Sequence, residues 1–171
     1  EQHYIAAPGE LWPHLEAQGI GHAVLMSSGE SEGPISGADN AGCRAIAAAH
    51  PERFSWMCNF DAKEPATVAD RMARCKAQGA VGVGELAINE WMDSPMLQAV
   101  FGAAALHRLP VTIHMSPRPG VSYGVCDHWG LPLLEQTLAK YPQLTLVGHS
   151  QLFWMEISGD CPKDDNARSG Y

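Results

Sequence analysis

Long apolar runs are missing from this sequence. No stretch approaches the roughly 20 consecutive apolar residues that a membrane-spanning helix requires. The first residues also lack the basic segment followed by an apolar segment that marks a secretory signal. These absences predict a soluble protein that is not inserted in a membrane.

Basic side chains are scarce as well. The 171 residues include 11 Lys and Arg against 19 Asp and Glu, so the formal net charge is −8. The basic residues are scattered along the chain and form no stripe. Because nucleic acids and anionic membranes would repel such a chain at long range, neither is an expected partner.

The sequence also lacks closely paired cysteines. The number of cysteines is odd, and no two have the Cys-x-x-Cys spacing of redox and zinc motifs. Most fall inside predicted helices or strands, as reduced thiols of intracellular proteins do. The pattern predicts free thiols and a cytoplasmic protein. The cysteines are Cys43, Cys58, Cys75, Cys126 and Cys161.

What the sequence does contain is a regular alternation of strand-like and helix-like patterns. Strands are predicted at 22–26, 54–60, 80–86, 110–114 and 144–149, and helices at 8–18, 40–49, 65–78, 95–108 and 131–140. Strand starts about 30 residues apart are typical of βα units in a parallel sheet, which predicts an α/β protein. With 46% apolar residues, residues 1–171 suffice for one core and are predicted to belong to a single domain.

Three of the predicted strands end in side chains that can bind a metal. Glu85 ends one apolar run, and His114 and His149 end two others. Because the carboxyl ends of parallel strands meet at one edge of a sheet, we expect the three side chains to converge. One carboxylate and two imidazoles are suitable ligands for a divalent metal, so this edge is the predicted site.

Each of these residues also has a structural explanation. A single strand histidine is more often a hydrogen-bonded core residue than a ligand. Glu85 could pair with Arg118 or cap a loop instead of binding a metal. The joint pattern favours the metal site, because unrelated core histidines have no reason to end two successive strands after a strand that ends in Glu.

The loops that follow the strands contain further candidates with two interpretations each. His128, in Cys126-Asp-His-Trp, either contacts substrate or has an ordinary role in its loop. Arg118 either holds a substrate carboxylate or is solvated. Phe153 and Trp154 either line a pocket or cover the rim of the fold.

Three segments resemble a known family. Gly84-Glu85, Val111-Thr-Ile-His114-Met and Val147-Gly-His149-Ser-Gln-Leu-Phe-Trp are similar to the amidohydrolase superfamily, in its amidohydrolase-related, or type 2, branch. The resemblance implies a (β/α)8 TIM barrel of which this chain contains about strands two to six. It also implies that His114 is a metal ligand, that His149 is a second ligand or the catalytic base, and that Glu85 completes the metal site.

The sequence departs from that family at both ends. The His-x-His motif of the first barrel strand is absent, since Gln2-His3-Tyr4 has neither the spacing nor a preceding apolar run. The Asp that ends the eighth strand is also absent, and the last residues form a polar tail. A complete barrel takes about 200 residues or more, and the chain begins with Glu1 rather than Met. We therefore expect a domain that is incomplete at both ends.

The resemblance leads to one expected function and two alternatives. The expected function is hydrolysis of a carbon–nitrogen or ester bond of a small molecule by metal-activated water, with zinc as the metal and His149 as the proton-transfer group. The first alternative is a metal-dependent decarboxylase or lyase acting on a small carboxylic acid. The second is a catalytically inactive barrel fragment. Assembly into a homo-oligomer is left open.

Overall fold

The chain is described here by a computed structural model that covers residues 7–31, 37–120 and 123–160. The Gln2-His3-Tyr4 segment, Cys161 and most of the polar tail lie outside the described residues. Within those residues, no helix has both the length and the apolar character needed to cross a bilayer.

A parallel sheet forms the centre of the described structure. Its strands are β1 (Ala23–Met26), β2 (Phe54–Cys58), β3 (Gly82–Leu86), β4 (Val111–Ser116), β5 (Val125–Cys126) and β6 (Leu146–His149). The hydrogen-bonded order is β1-β2-β3-β4, and β4 then pairs with both β5 and β6. Every strand pair is parallel, which confirms the predicted α/β class.

Helices connect most of the strands. They are α1 (Pro8–Ala17), α2 (Asn40–Ala49), α3 (Val68–Ala77), α4 (Pro95–His107), α5 (Pro132–Lys140) and α6 (Gln151–Ile157), with a short 3-10 turn at Pro65–Thr67 before α3. Side chains cap the first turns of α2 and α4. The carboxylate of Asp39 accepts a hydrogen bond from the Gly42 N–H in α2, and the Ser94 hydroxyl accepts one from the Leu97 N–H in α4.

The core lies between the sheet and its helices. Helix α4 buries Leu97, Val100 and Phe101 completely, and Val111 and Ile113 of β4 are equally buried. Full burial of one such side chain stabilises the fold by about 1.5 to 3 kcal/mol. The near-continuous apolar sequence of β4 therefore reflects a strand covered on both faces, which fixes the histidine that it carries.

The structure corrects several predicted boundaries. His114 is not the last residue of its strand, because β4 continues through Met115 and Ser116. Strand β5 lies between the strand predicted at 110–114 and the helix predicted at 131–140, where no strand is predicted, and it pairs with this extension of β4. Helix α6 was also not predicted; it starts immediately after β6 and is only seven residues long.

Asp127 is a completely buried carboxylate just after β5. One of its oxygens accepts hydrogen bonds from the N–H groups of His128 (2.6 Å) and Leu133 (3.1 Å), and the other accepts one from the Leu134 N–H (2.8 Å). Two of these donors belong to the first turn of α5, which has no intrahelical acceptors for them. Asp127 therefore anchors α5 to the end of β5.

We predict that Asp127→Ala lowers the free energy of unfolding by about 2 to 4 kcal/mol, because it leaves buried N–H groups without an acceptor. The matched control is Glu135→Ala, which removes an exposed carboxylate from the same helix and should cost about 0.5 kcal/mol or less. Urea denaturation of both variants measures the difference. Equal losses would show that Asp127 does not anchor the helix.

Candidate metal centre

The sheet register brings the three predicted ligands to one edge. In the parallel pair of β4 and β6, His114 lies directly opposite His149. On the other side of β4, Val83 pairs with Val111 and Leu86 pairs with Ile113, and the register shifts between these two pairs. Glu85 lies in this irregular segment.

The three side chains contact one another. Oε1 of Glu85 lies 3.1 Å from Nδ1 of His114 and also contacts Nε2 of His149. The two imidazole rings are 5.1 Å apart between centroids and nearly perpendicular. The predicted convergence is therefore observed, and the contacts of the Glu85 carboxylate are with the imidazoles rather than with Arg118, whose side chain is exposed.

The donor set fits one divalent cation. One ligand atom from each of the three residues lies within 4.8 Å of the other two. Two ligands about 2.0 to 2.2 Å from a shared ion are about 2.8 to 3.6 Å apart for angles of about 90° to 110° at the ion, so the 3.1 Å separation of Glu85 Oε1 and His114 Nδ1 fits such geometry. The contacting atoms of Glu85 and His149 are closer than this and would have to move apart around an ion. A negative carboxylate between two imidazoles also supplies the charge that a cation requires.

The centre is closed on one side and open on the other. The exposed fraction of the side chain is 8% for His114, 30% for Glu85 and 37% for His149. The His114 ring is covered by Tyr123, at a centroid distance of 4.4 Å. A small molecule can therefore reach the centre from the side of Glu85 and His149.

Asn59 fixes the main chain of Glu85. This buried side chain follows β2, and its Nδ2 donates hydrogen bonds to the carbonyl oxygens of Ser27 (2.9 Å) and Glu85 (2.6 Å). The main chain of Asn59 is itself held by Asn40, which accepts from its N–H at 2.8 Å and donates to its carbonyl at 2.9 Å. One amide thus links the ends of β1, β2 and β3.

Ser150 fixes the end of β6 against β4. Its hydroxyl donates a hydrogen bond to the Met115 carbonyl at 2.8 Å and accepts one from the Met115 N–H at 3.1 Å. Because Ser150 follows His149 and Met115 follows His114, this pair of hydrogen bonds keeps the two histidines in the same register.

Gly124 allows the loop after β4 to approach the His114 ring. A Cβ atom at Gly124 would lie 2.9 Å from Cβ of Ser116 and 3.0 Å from Cδ2 of His114, and φ is +109° at this position. Asn89, in the loop after β3, holds this segment by donating to the Gly124 carbonyl at 3.0 Å and accepting from the Gly120 N–H at 2.7 Å.

The other residues that the sequence suggested as substrate contacts or pocket walls have different neighbours. His128 stacks on Trp91 at a centroid distance of 4.3 Å. Phe153 packs against Gly148 and the core, whereas Trp154 is 58% exposed. Substrate contacts by His128 and Arg118 stay predictions.

A comparison of the sequence with known protein families shows which family it belongs to. The sequence profile described as Amidohydrolase matches residues 13–163. The chain belongs to the amidohydrolase family. None of the curated protein sequences matches this amidohydrolase chain significantly.

Solved structures of similar fold confirm the barrel architecture. An uncharacterized TIM-barrel protein, Bb4693 from Bordetella bronchiseptica, aligns with a TM-score of 0.64 and 18% identity over 83% of this chain and 50% of its own. The 2,6-dihydroxybenzoate decarboxylase from Rhizobium gives 0.59 and 15%, over 88% and 59%. The 5-carboxyvanillate decarboxylase from Novosphingobium aromaticivorans, a D314N mutant with bound manganese, gives 0.61 and 18%, over 85% and 51%.

These alignments show that the chain corresponds to only part of a barrel. The amidohydrolase chain spans about half the length of the structures that it matches. Its parallel strands and helices correspond to part of a (β/α)8 TIM barrel, as the sequence predicts.

We predict that Gly124→Ala lowers both the stability and the metal affinity of this amidohydrolase chain. The new methyl group pushes on Ser116 and His114 and should cost about 1 to 3 kcal/mol beyond the penalty of a positive φ. Gly120→Ala is the matched control, because Gly120 has a φ of +87° in the same loop but open space around it. Urea denaturation with and without zinc tests the pair, and equal effects of the two substitutions would refute steric contact with His114.

Proposed function

We propose that Glu85, His114 and His149 hold one divalent cation and that this chain supplies these ligands to a small-molecule enzyme of the amidohydrolase family. The observation that carries the proposal is the convergence of one carboxylate oxygen and two imidazole nitrogens at the carboxyl edge of the sheet. Zinc is the proposed metal, because imidazole and carboxylate are its usual ligands in catalytic sites.

The proposed reaction is hydrolysis of a carbon–nitrogen or ester bond. A divalent cation in this position supplies Lewis acidity toward a carbonyl group. The protein's own residues hold and orient it: His114 is fixed beneath Tyr123, and Glu85 is fixed through its main chain by Asn59.

His149 has an alternative proposed role as the proton-transfer group, in which its ring is not bound to the metal. Its side chain is the most exposed of the three, so a substrate can reach it. Contact with Glu85 orients the His149 ring. The hydrogen bonds between Ser150 and Met115 fix the end of β6, where His149 lies. General acid–base catalysis requires such a positioned imidazole within hydrogen-bond distance of the substrate.

Decarboxylation is the second proposed reaction, and two observations favour it. The similar structures include decarboxylases that act on 2,6-dihydroxybenzoate and 5-carboxyvanillate, both aromatic carboxylic acids. Arg118 is exposed in the loop after β4, where its guanidinium could pair with a substrate carboxylate.

We predict that His114→Ala weakens metal binding by about 100-fold or more, whereas His149→Ala reduces turnover more than metal uptake. The control is His128→Ala, which removes an imidazole that stacks on Trp91 and should leave metal content unchanged. Elemental analysis after dialysis against zinc or manganese measures metal per chain in the full-length protein.

Turnover assays separate the reactions. Hydrolysis of a simple aryl ester or anilide supports the first reaction, and carbon dioxide release from 2,6-dihydroxybenzoate supports the second. Full metal occupancy in the His114→Ala protein would refute the ligand assignment. Metal binding without either activity would favour a catalytically inactive barrel.

A further inference from the structure

A second polar cleft lies away from the metal centre, between helices α2 and α3. It has a volume of about 240 Å³ and is lined by Glu30, Asn40, Arg44, Arg71, Arg74 and Gln78, which we call the arginine cleft. None of the three candidate metal ligands lines it. Its occupant would therefore bind independently of the metal.

The arginine cleft concentrates positive charge on a negative protein. The chain has a formal charge of −8 and only 11 Lys and Arg, yet three arginines line this one cleft. Glu30 is the acidic residue among those that line the cleft, so three arginines against one glutamate give the lining a formal charge of +2. A cleft with one dominant sign of charge attracts ions of the opposite sign.

Glu30 neutralises only one of the three arginines. It pairs with Nη1 of Arg71, whose Nη2 donates to the Lys63 carbonyl at 2.7 Å. Within residues 7–31, 37–120 and 123–160, no ion pair forms to Arg44 or Arg74. Two guanidinium groups, one from each helix, thus have free hydrogen-bonding capacity in the cleft.

Arg71 also has an unused donor. Its side chain is 15% exposed, and its Nε is buried without a hydrogen-bond partner among the described residues. Because this Nε is buried, Arg44 and Arg74 rather than Arg71 Nε are the donors available to an anion in the cleft.

We propose that the arginine cleft binds a small phosphate dianion, either inorganic phosphate or the phosphoryl group of a small phosphate monoester. The planar guanidinium fork binds two oxygens at once, and two free forks require more oxygens and more charge than one carboxylate offers. A phosphate dianion supplies both. The cleft is smaller than the roughly 300 to 1,000 Å³ of pockets for drug-sized ligands, which favours a small anion.

Calorimetric titration with inorganic phosphate, in a chloride buffer free of sulfate, tests the proposal. The Arg44→Gln/Arg74→Gln protein should bind phosphate at least about 10-fold more weakly than the wild type, because each substitution removes charged donors. Both arginines are at least partly exposed, so glutamine should be tolerated. If the double variant does not fold, Arg74→Gln alone gives the test, and Arg74→Lys should restore part of the affinity.

Two controls exclude other binding sites. Arg108→Gln removes one exposed arginine at the end of α4 and should bind phosphate as the wild type does. The wild-type protein freed of metal by a chelator should also bind phosphate undiminished, which excludes a metal ion as the phosphate ligand. Phenyl phosphate distinguishes the two sources of the dianion: tighter binding than phosphate indicates a monoester, and equal or weaker binding indicates the free ion. No binding to the wild type at about 10 mM, or undiminished binding to the folded double variant, would overturn the proposal.

Discussion

The parallel pairing of β4 with β6 is the constraint on which the candidate site depends. It places His114 opposite His149, and one carboxylate oxygen of Glu85 then contacts both imidazoles. The side chains of β4 are almost all buried, so His114 cannot shift without disrupting the core. Strand β6 is only partly buried, and its register is set by its main-chain pairing with β4 and by the Ser150 hydrogen bonds to Met115. The geometry of the site is in this sense a property of the sheet.

Residues other than the three candidate ligands secure this geometry. Asn59 holds the main chain of Glu85, Ser150 ties the residue after His149 to β4, and Gly124 leaves room for the His114 ring. Each acts through a short contact that a different side chain would remove or crowd. The positions of the three candidate ligands thus depend on hydrogen bonds from the residues after β2 and β6 and on close packing just before β5, which is typical of sites that need accurate ligand placement.

The sequence predicted the strand ends but not their supports. Glu85, His114 and His149 were predictable because each ends or nearly ends a local apolar run, and local patterns suffice to locate a strand. Asn59 and Ser150 act on residues 26 and 35 positions away, and no local pattern reveals such pairs. Strand β5 has two residues and α6 has seven, too few for periodicity to show, and β5 exists only because β4 extends to Ser116.

Anomalous X-ray scattering from crystals grown with zinc tests the central claim most directly, because it locates the ion rather than its effects. The proposed centre predicts one strong peak about 2.0 to 2.2 Å from Oε1 of Glu85, a ring nitrogen of His114 and Nε2 of His149. A peak that contacts only one of these residues, or zinc bound elsewhere with this edge of the sheet empty, would contradict the shared metal centre.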